Sequence, residues 1–132
     1  MKVAWLTQAG LLFENSKLKI MADPYLTDSL GETKPEKKRR IPADESFFDA
    51  SPDVILLTHG HFDHIAGVKK FKELYPNAKI VIGEQDAILT EDSQKNVADY
   101  FGASFESFKL DMLVKENDQL EIGNKKLRVL ET

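Results

Sequence analysis

Apolar positions along this chain change their spacing from one segment to the next, and each spacing predicts an element. Residues 3–6 and 11–13 are short apolar runs on either side of Gly10, and residues 17–22 (KLKIMA) alternate polar and apolar before stopping at Asp23-Pro24. Alternation at period two is the mark of a strand, so three strands are expected, with Asn15-Ser16 as the turn between the second and third. Pro52-Asp53 opens the run Val54-Ile55-Leu56-Leu57, whose continuous apolar character predicts a strand covered on both faces. Val68, Phe71, Leu74 and Tyr75 then recur at helical spacing, with Lys69, Lys70, Lys72 and Glu73 opposite them and Pro76 as the stop.

Residues 78–82 read as another buried strand, ended by Gly83. Residues 93–101 read as a helix with Ser93 as N-cap and Gly102 just past its end. Two alternating runs, 119–122 and 125–130, flank Gly123-Asn124 and predict a closing hairpin. Between the first strands and the Val54 run, residues 27–51 are polar and irregular, with Pro35 and Pro42. They predict a long loop, and loops of that length are often functional. The order of elements is that of an α/β fold, a mixed sheet with helices packed on it. At 132 residues the chain is expected to form one domain, with Trp5, Phe13, Phe47, Phe48, Phe62 and Phe71 in its core and Phe62 also a candidate lining for the cluster described below.

Charge narrows the partners. Eighteen basic residues against 22 acidic ones give a net charge of −4 and a pI near 5.4, which argues against nucleic acid or a membrane surface. The basic run Lys34-Pro35-Glu36-Lys37-Lys38-Arg39-Arg40 reads first as a solvated loop; steering of an anionic substrate is the rival reading. There is no cysteine, so a zinc site would use imidazole and carboxylate ligands only. No stretch approaches the roughly 20 apolar residues of a membrane span. Gln8 breaks the first apolar run, so no signal peptide is read there, and a cytoplasmic protein is expected.

The segment Thr58-His59-Gly60-His61-Phe62-Asp63-His64 holds all three histidines of the chain, and an aspartate, within six positions. A lone histidine is more often structural. Three with an aspartate, at the mouth of a buried strand, are hard to explain by packing. Side chains two apart on an extended backbone point the same way, so His59 and His61 can reach one ion, and Asp63 and His64 can face a second beside it. Such donors suit zinc, iron or manganese. Two ions about 3.5–4 Å apart can share a hydroxide nucleophile, and bound water loses its proton near pH ~7.

THGHFDH followed by Ile65-Ala66-Gly67 resembles the signature of the metallo-β-lactamase-fold superfamily, with the strand before it and the helix after it in that family's places. LTQAGLLFE and IMADPYLTDSL resemble the lactonase-like branch, whereas the later part is similar to glyoxalase-II-like hydrolases. The resemblance implies half of an αββα sandwich, a single partial domain over residues 1–132, with helices on the outer face of its sheet. It implies His59 and His61 as ligands of a first metal, Asp63 and His64 of a second, and Asp63 as the catalytic group orienting the attacking water. Zinc is the first expectation, up to two ions, with iron or manganese as alternatives. Asp23 would fix a ligand imidazole, although it reads equally as a turn residue before Pro24.

The same resemblance implies a third histidine for the first site in a Pro-Gly-His segment, then a bridging aspartate and a further histidine. The sequence has no histidine outside the cluster and runs to Glu131-Thr132 where that segment would begin, so each ion is expected to find two motif ligands. Three readings follow. One is a hydrolase that cleaves an ester, lactone or similar bond of a small molecule with metal-bound hydroxide. Another is a non-catalytic metal-binding half-domain that dimerises over its uncovered sheet face. The last is an inactive fragment of a longer product.

Overall fold

Strand register explains which side of the sheet became the core. In the computed structural model, which describes residues 1–122 and 124–131, β1 (Lys2–Thr7), β2 (Gly10–Glu14) and β3 (Lys19–Ala22) pair antiparallel. From β3 the sheet continues in parallel through β4 (Val54–Leu56), β5 (Lys79–Gly83) and β6 (Met112–Val114), giving six strands in sequence order. The pairings Ala4–Leu12, Leu12–Met21, Met21–Ile55 and Ile55–Ile80 put five apolar side chains in one line on one face. That line packs beneath Ile65, Val68 and Phe71, all fully buried. These three come from α2 (Phe62–Ile65) and α3 (Val68–Leu74). Tyr75 closes α3, as its spacing predicts, and its hydroxyl donates to the Phe48 carbonyl at 2.8 Å.

The opposite face carries a second line, Trp5, Leu11, Ala22, Leu56, Val81 and Met112, joined by the same register. Its middle is buried at Ala22 and Val81, but Trp5 is 58% exposed and Met112 45%. The expected core position for Trp5 is therefore wrong. Strand alternation turns it away from the helices, and its indole Nε1 donates to the Gln8 carbonyl at 2.9 Å. The hairpin of β7 (Gln119–Ile122) and β8 (Lys125–Arg128) pairs Leu120 with Leu127. It shares a small crevice with Met1, Phe13 and Ile20, so it lies by this outer face. The turn expected at Gly123 lies outside the described residues.

The loop expected over residues 27–51 is more ordered than its composition predicts. It holds α1 (Ser29–Thr33) and 3-10 turns at Pro35–Lys37 and Glu45–Asp49, the last capped by the Asp44 carboxylate on Ser46 N. Arg39, by contrast, is half-buried and held. Its guanidinium donates to Thr7 Oγ1 at 2.6 Å, to Gln8 Oε1 at 2.8 Å and to the Tyr25 carbonyl, and it lies over the Tyr25 ring. One arginine thus straps the loop to the end of β1.

The helix expected over residues 93–101 shrinks to α4 (Ala98–Phe101). Ser93 is not its cap. Asp92 takes the amides of Gln94 and Lys95 in a local turn, Val97 adopts φ +64°, and the Asn96 carbonyl oxygen of the side chain takes Ala98 N at 3.0 Å. Asp and Asn side chains compete with helical bonding in this way. Phe62 packs with Ala98, Ala103 and Phe101, which makes it a core residue.

Candidate metal centre

The parallel strands β3, β4 and β5 all end at one edge of the sheet, and the polar segments that leave them meet there, the usual place for a site in such sheets. Asp23 follows β3 directly. Its amide continues the ladder to the Leu56 carbonyl at 3.0 Å, and then its φ turns to +44° before Pro24. Leu57 extends β4 by donating to Val81 O at 2.9 Å. Residues 58–61 leave β4 before α2 begins.

Alternate amides of this exit are each held by a different acceptor. Thr58 N donates to Asp23 Oδ1 at 2.9 Å, Gly60 N to Asp86 Oδ2 at 2.9 Å, and Phe62 N to the Asn96 carbonyl at 3.0 Å. Between them His59 and His61 project together, with ring centroids 4.9 Å apart. His64 N and Ile65 N then both donate to His61 O, which starts α2. That first turn brings His64 back to within 3.9 Å of the His59 ring. Asp63 Oδ2 lies 3.8 Å from His64 Nε2. The cluster that the sequence places in six positions is therefore gathered in space as well.

Asp23 organises one side of it. The carboxylate is 2% exposed, accepts the Thr58 hydroxyl at 2.6 Å and stands 3.0 Å from His64 Nδ1, off the line of a well-aligned hydrogen bond. The contact with Asp23 raises the His64 pKa above the ordinary imidazole value; burial opposes this, and the charges of Asp23 and Asp63 reinforce it. His59 shifts the other way. Burial lowers it first, then the neighbouring His64 and His61, against Asp23 and Asp63. Metal binds the neutral imidazole, the form that a lowered pKa favours.

The donors match a divalent ion in kind: three imidazoles and a carboxylate, with Asp23 on Nδ1 of His64 so that Nε2 is left facing Asp63. They are gathered but not converged, since no three histidine, aspartate or glutamate side chains among the described residues stand as a ready ligand group. Asp86 and Asn96 are absent from the sequence reading. Glu84-Gln85-Asp86 looks like any polar stretch after a strand. The available signal was topological, because a β5 parallel to β4 must deliver its following residues to the same edge.

A model of the metallo-beta-lactamase superfamily matches residues 20–130. The chain belongs to the metallo-beta-lactamase superfamily. It is similar to a hydroxyacylglutathione hydrolase of Francisella tularensis subsp. novicida (strain U112), with 32% identity over 100 residues, 76% of this chain and 35% of that protein. It also resembles glyoxylase B2 of Dictyostelium discoideum, with 30% identity over 129 residues, 95% of this chain and 44% of that protein. Its fold matches the subclass B3 metallo-beta-lactamase BJP-1 of Bradyrhizobium japonicum with a TM-score of 0.66 and 25% identity, over 96% of this chain and 47% of that one. The chain thus spans less than half the length of these superfamily relatives. Among the described residues no helix is long and apolar enough to cross a membrane.

Proposed function

We propose that this superfamily member is the metal-binding part of a hydrolase that cleaves an ester, lactone or similar bond of a small-molecule substrate. The observation that carries the reading is the gathering of His59, His61, Asp63 and His64 at the sheet edge with Asp23 behind His64. His59 and His61 would hold one ion, and Asp63 with His64 a second. Zinc is the first candidate, with iron or manganese compatible with the same donors. A bound ion would supply Lewis acidity and bring the pKa of its water to about 7.

The chain's own residues do the positioning. Asp23 stands behind the His64 ring and, through Thr58, holds the start of the loop. Asp63 is nearly half exposed, so its carboxylate is free to accept a hydrogen bond from the attacking water and orient it. A hydroxyacyl glutathione is the first substrate to test, because a relative is named for it. The test is elemental analysis of protein grown with zinc, manganese or iron, alongside turnover of ester and lactone substrates. Protein that takes up no stoichiometric metal even at high supply would sink the reading.

A second reading has its own support. Val3 and Trp5 on the edge strand β1 are 56% and 58% exposed, and Met112 ends the same apolar line at β6. An uncovered apolar edge of this kind favours self-association, and two copies would double the ligands available. Light scattering with and without zinc separates the cases: a monomer under both conditions counts against pairing.

A further inference from the structure

We infer that Asp86 is a positioning residue for the His59–His61 pair, acting through the amide of Gly60 between them; this rests on the metal-binding reading above. The Gly60 amide is the middle link of the chain's exit from β4, and Asp86 Oδ2 accepts it at 2.9 Å in a partly buried setting. The peptide so held carries the His59 carbonyl carbon and ends on the Gly60 Cα, one residue before His61, so the bond pins the one-residue link between the two histidines. Release of Gly60 would loosen the link that keeps the two imidazoles side by side.

Packing holds the same peptide from the side. A Cβ on Gly60 would stand 2.5 Å from Leu89 Cβ and 3.1 Å from the Asp86 carbonyl oxygen, so the 3-10 segment Glu84–Thr90 lies flat against it. Glycine is needed here for close approach. The segment is itself fixed to the cluster, because Asn96, fully buried, donates to Leu89 O at 3.0 Å while its own carbonyl takes Phe62 N. Asp86 therefore sits on a braced platform, as required of a group that must define orientation. Partners behind metal ligands of this sort typically change affinity by about 10–100-fold when removed.

The test uses Asp86→Ala and Asp86→Asn in the full chain. The three histidines all lie in the cluster, so imidazole nitrogen NMR reads three rings and nothing else. Asp86→Ala is expected to shift the His59 and His61 resonances in metal-free protein and to weaken Zn2+ binding about tenfold or more in a competition titration. Asp86→Asn, which keeps an acceptor oxygen, is expected to restore both. Unchanged imidazole resonances in folded Asp86→Ala would overturn the proposal, as would Asn failing to rescue. If wild-type protein binds no Zn2+, the metal reading falls, while the metal-free spectra still decide the role of Asp86. Should Asp86→Ala fail to fold, hydrogen exchange in wild type decides: a Gly60 amide that exchanges as freely as an open loop refutes the bond.

Discussion

Asp23 and Thr58 are joined twice, by the Thr58 amide on Oδ1 at 2.9 Å and the Thr58 hydroxyl on Oδ2 at 2.6 Å, although 35 residues separate them. This pair ties the end of β3 to the first residue of the histidine loop. Its acceptor also faces His64. Asp23→Ala would orphan both Thr58 donors and place alanine at φ +44°, a conformation that Asn and Asp tolerate better. A loss of about 2–3 kcal/mol is expected from the unpaired donors. Asp23→Asn, which keeps one acceptor oxygen, is expected to cost about 1 kcal/mol. Urea unfolding of the two variants checks the order, and equal losses would show that the Thr58 bonds carry little.

Gly67 is the second of the two residues between α2 and α3, and it has an ordinary negative φ of −82°. Its need for glycine is steric: a Cβ there would land on the Pro24 carbonyl oxygen, with backbone on both sides. Gly67→Ala must push α3 away from the Asp23-Pro24 turn. A loss of about 3 kcal/mol or more is expected, at the upper end for overpacked sites. The same urea experiment measures it, and a variant within about 0.5 kcal/mol of wild type would mean the turn yields easily.

Asp111 ties three elements together just before β6. Its Oδ2 accepts Lys72 Nζ at 2.8 Å and Ile80 N at 3.0 Å, and Lys79 Nζ lies 3.9 Å from Oδ1. Burial alone would raise its pKa, but the Lys72 and Ile80 hydrogen bonds and the two lysine charges together bring it below 3.8. A carboxylate depressed on folding contributes stability that is fully present above its unfolded pKa and lost as pH falls through the folded one. Asp111→Asn is therefore expected to cost about 1 kcal/mol near neutral pH, with the gap to wild type closing below about pH 4. Thermal unfolding across pH 3 to 8 reads this, and a gap that does not narrow in acid would remove the charge from the account.

Which parts were legible in the sequence follows from how local their causes are. The alternation in residues 17–22, the apolar run 54–57 and the helical spacing of Val68, Phe71 and Leu74 each write their structure into a few neighbours, and those elements form where expected. The histidine cluster was legible for the same reason. The ordering of residues 27–51 was not, because Arg39 finds its partners at Thr7, Gln8 and Tyr25, 14 to 32 positions away. β6 was missed because three residues, Met112–Val114, are too short to show a period and become a strand only by pairing with β5. Helix 93–101 failed because Asp92 and Asn96 bond locally against their apparent spacing. Asp86 belongs with Arg39: its partner is Gly60, 26 residues earlier.

Trp5 gives the second functional reading a direct probe. It is the only tryptophan of the chain, and it stands 58% exposed beside Val3 on the edge strand. In a monomer its emission should be that of a wet indole and iodide should quench it freely. If β1 and its apolar line meet a second copy, burial of one such aromatic contributes about 1.5–3 kcal/mol, and the emission should move to the blue as protein concentration rises. Trp5→Lys cannot report by fluorescence, but it places a charge on the edge, a device that blocks strand pairing, and should hold the protein monomeric in light scattering. Zinc separates the two causes of pairing. A blue shift that needs only concentration points to the apolar face, whereas one that appears only with zinc points to ligands shared between clusters. Emission that stays wet at every concentration, with and without zinc, would leave the Trp5 face without a partner and remove self-association as a function of this chain.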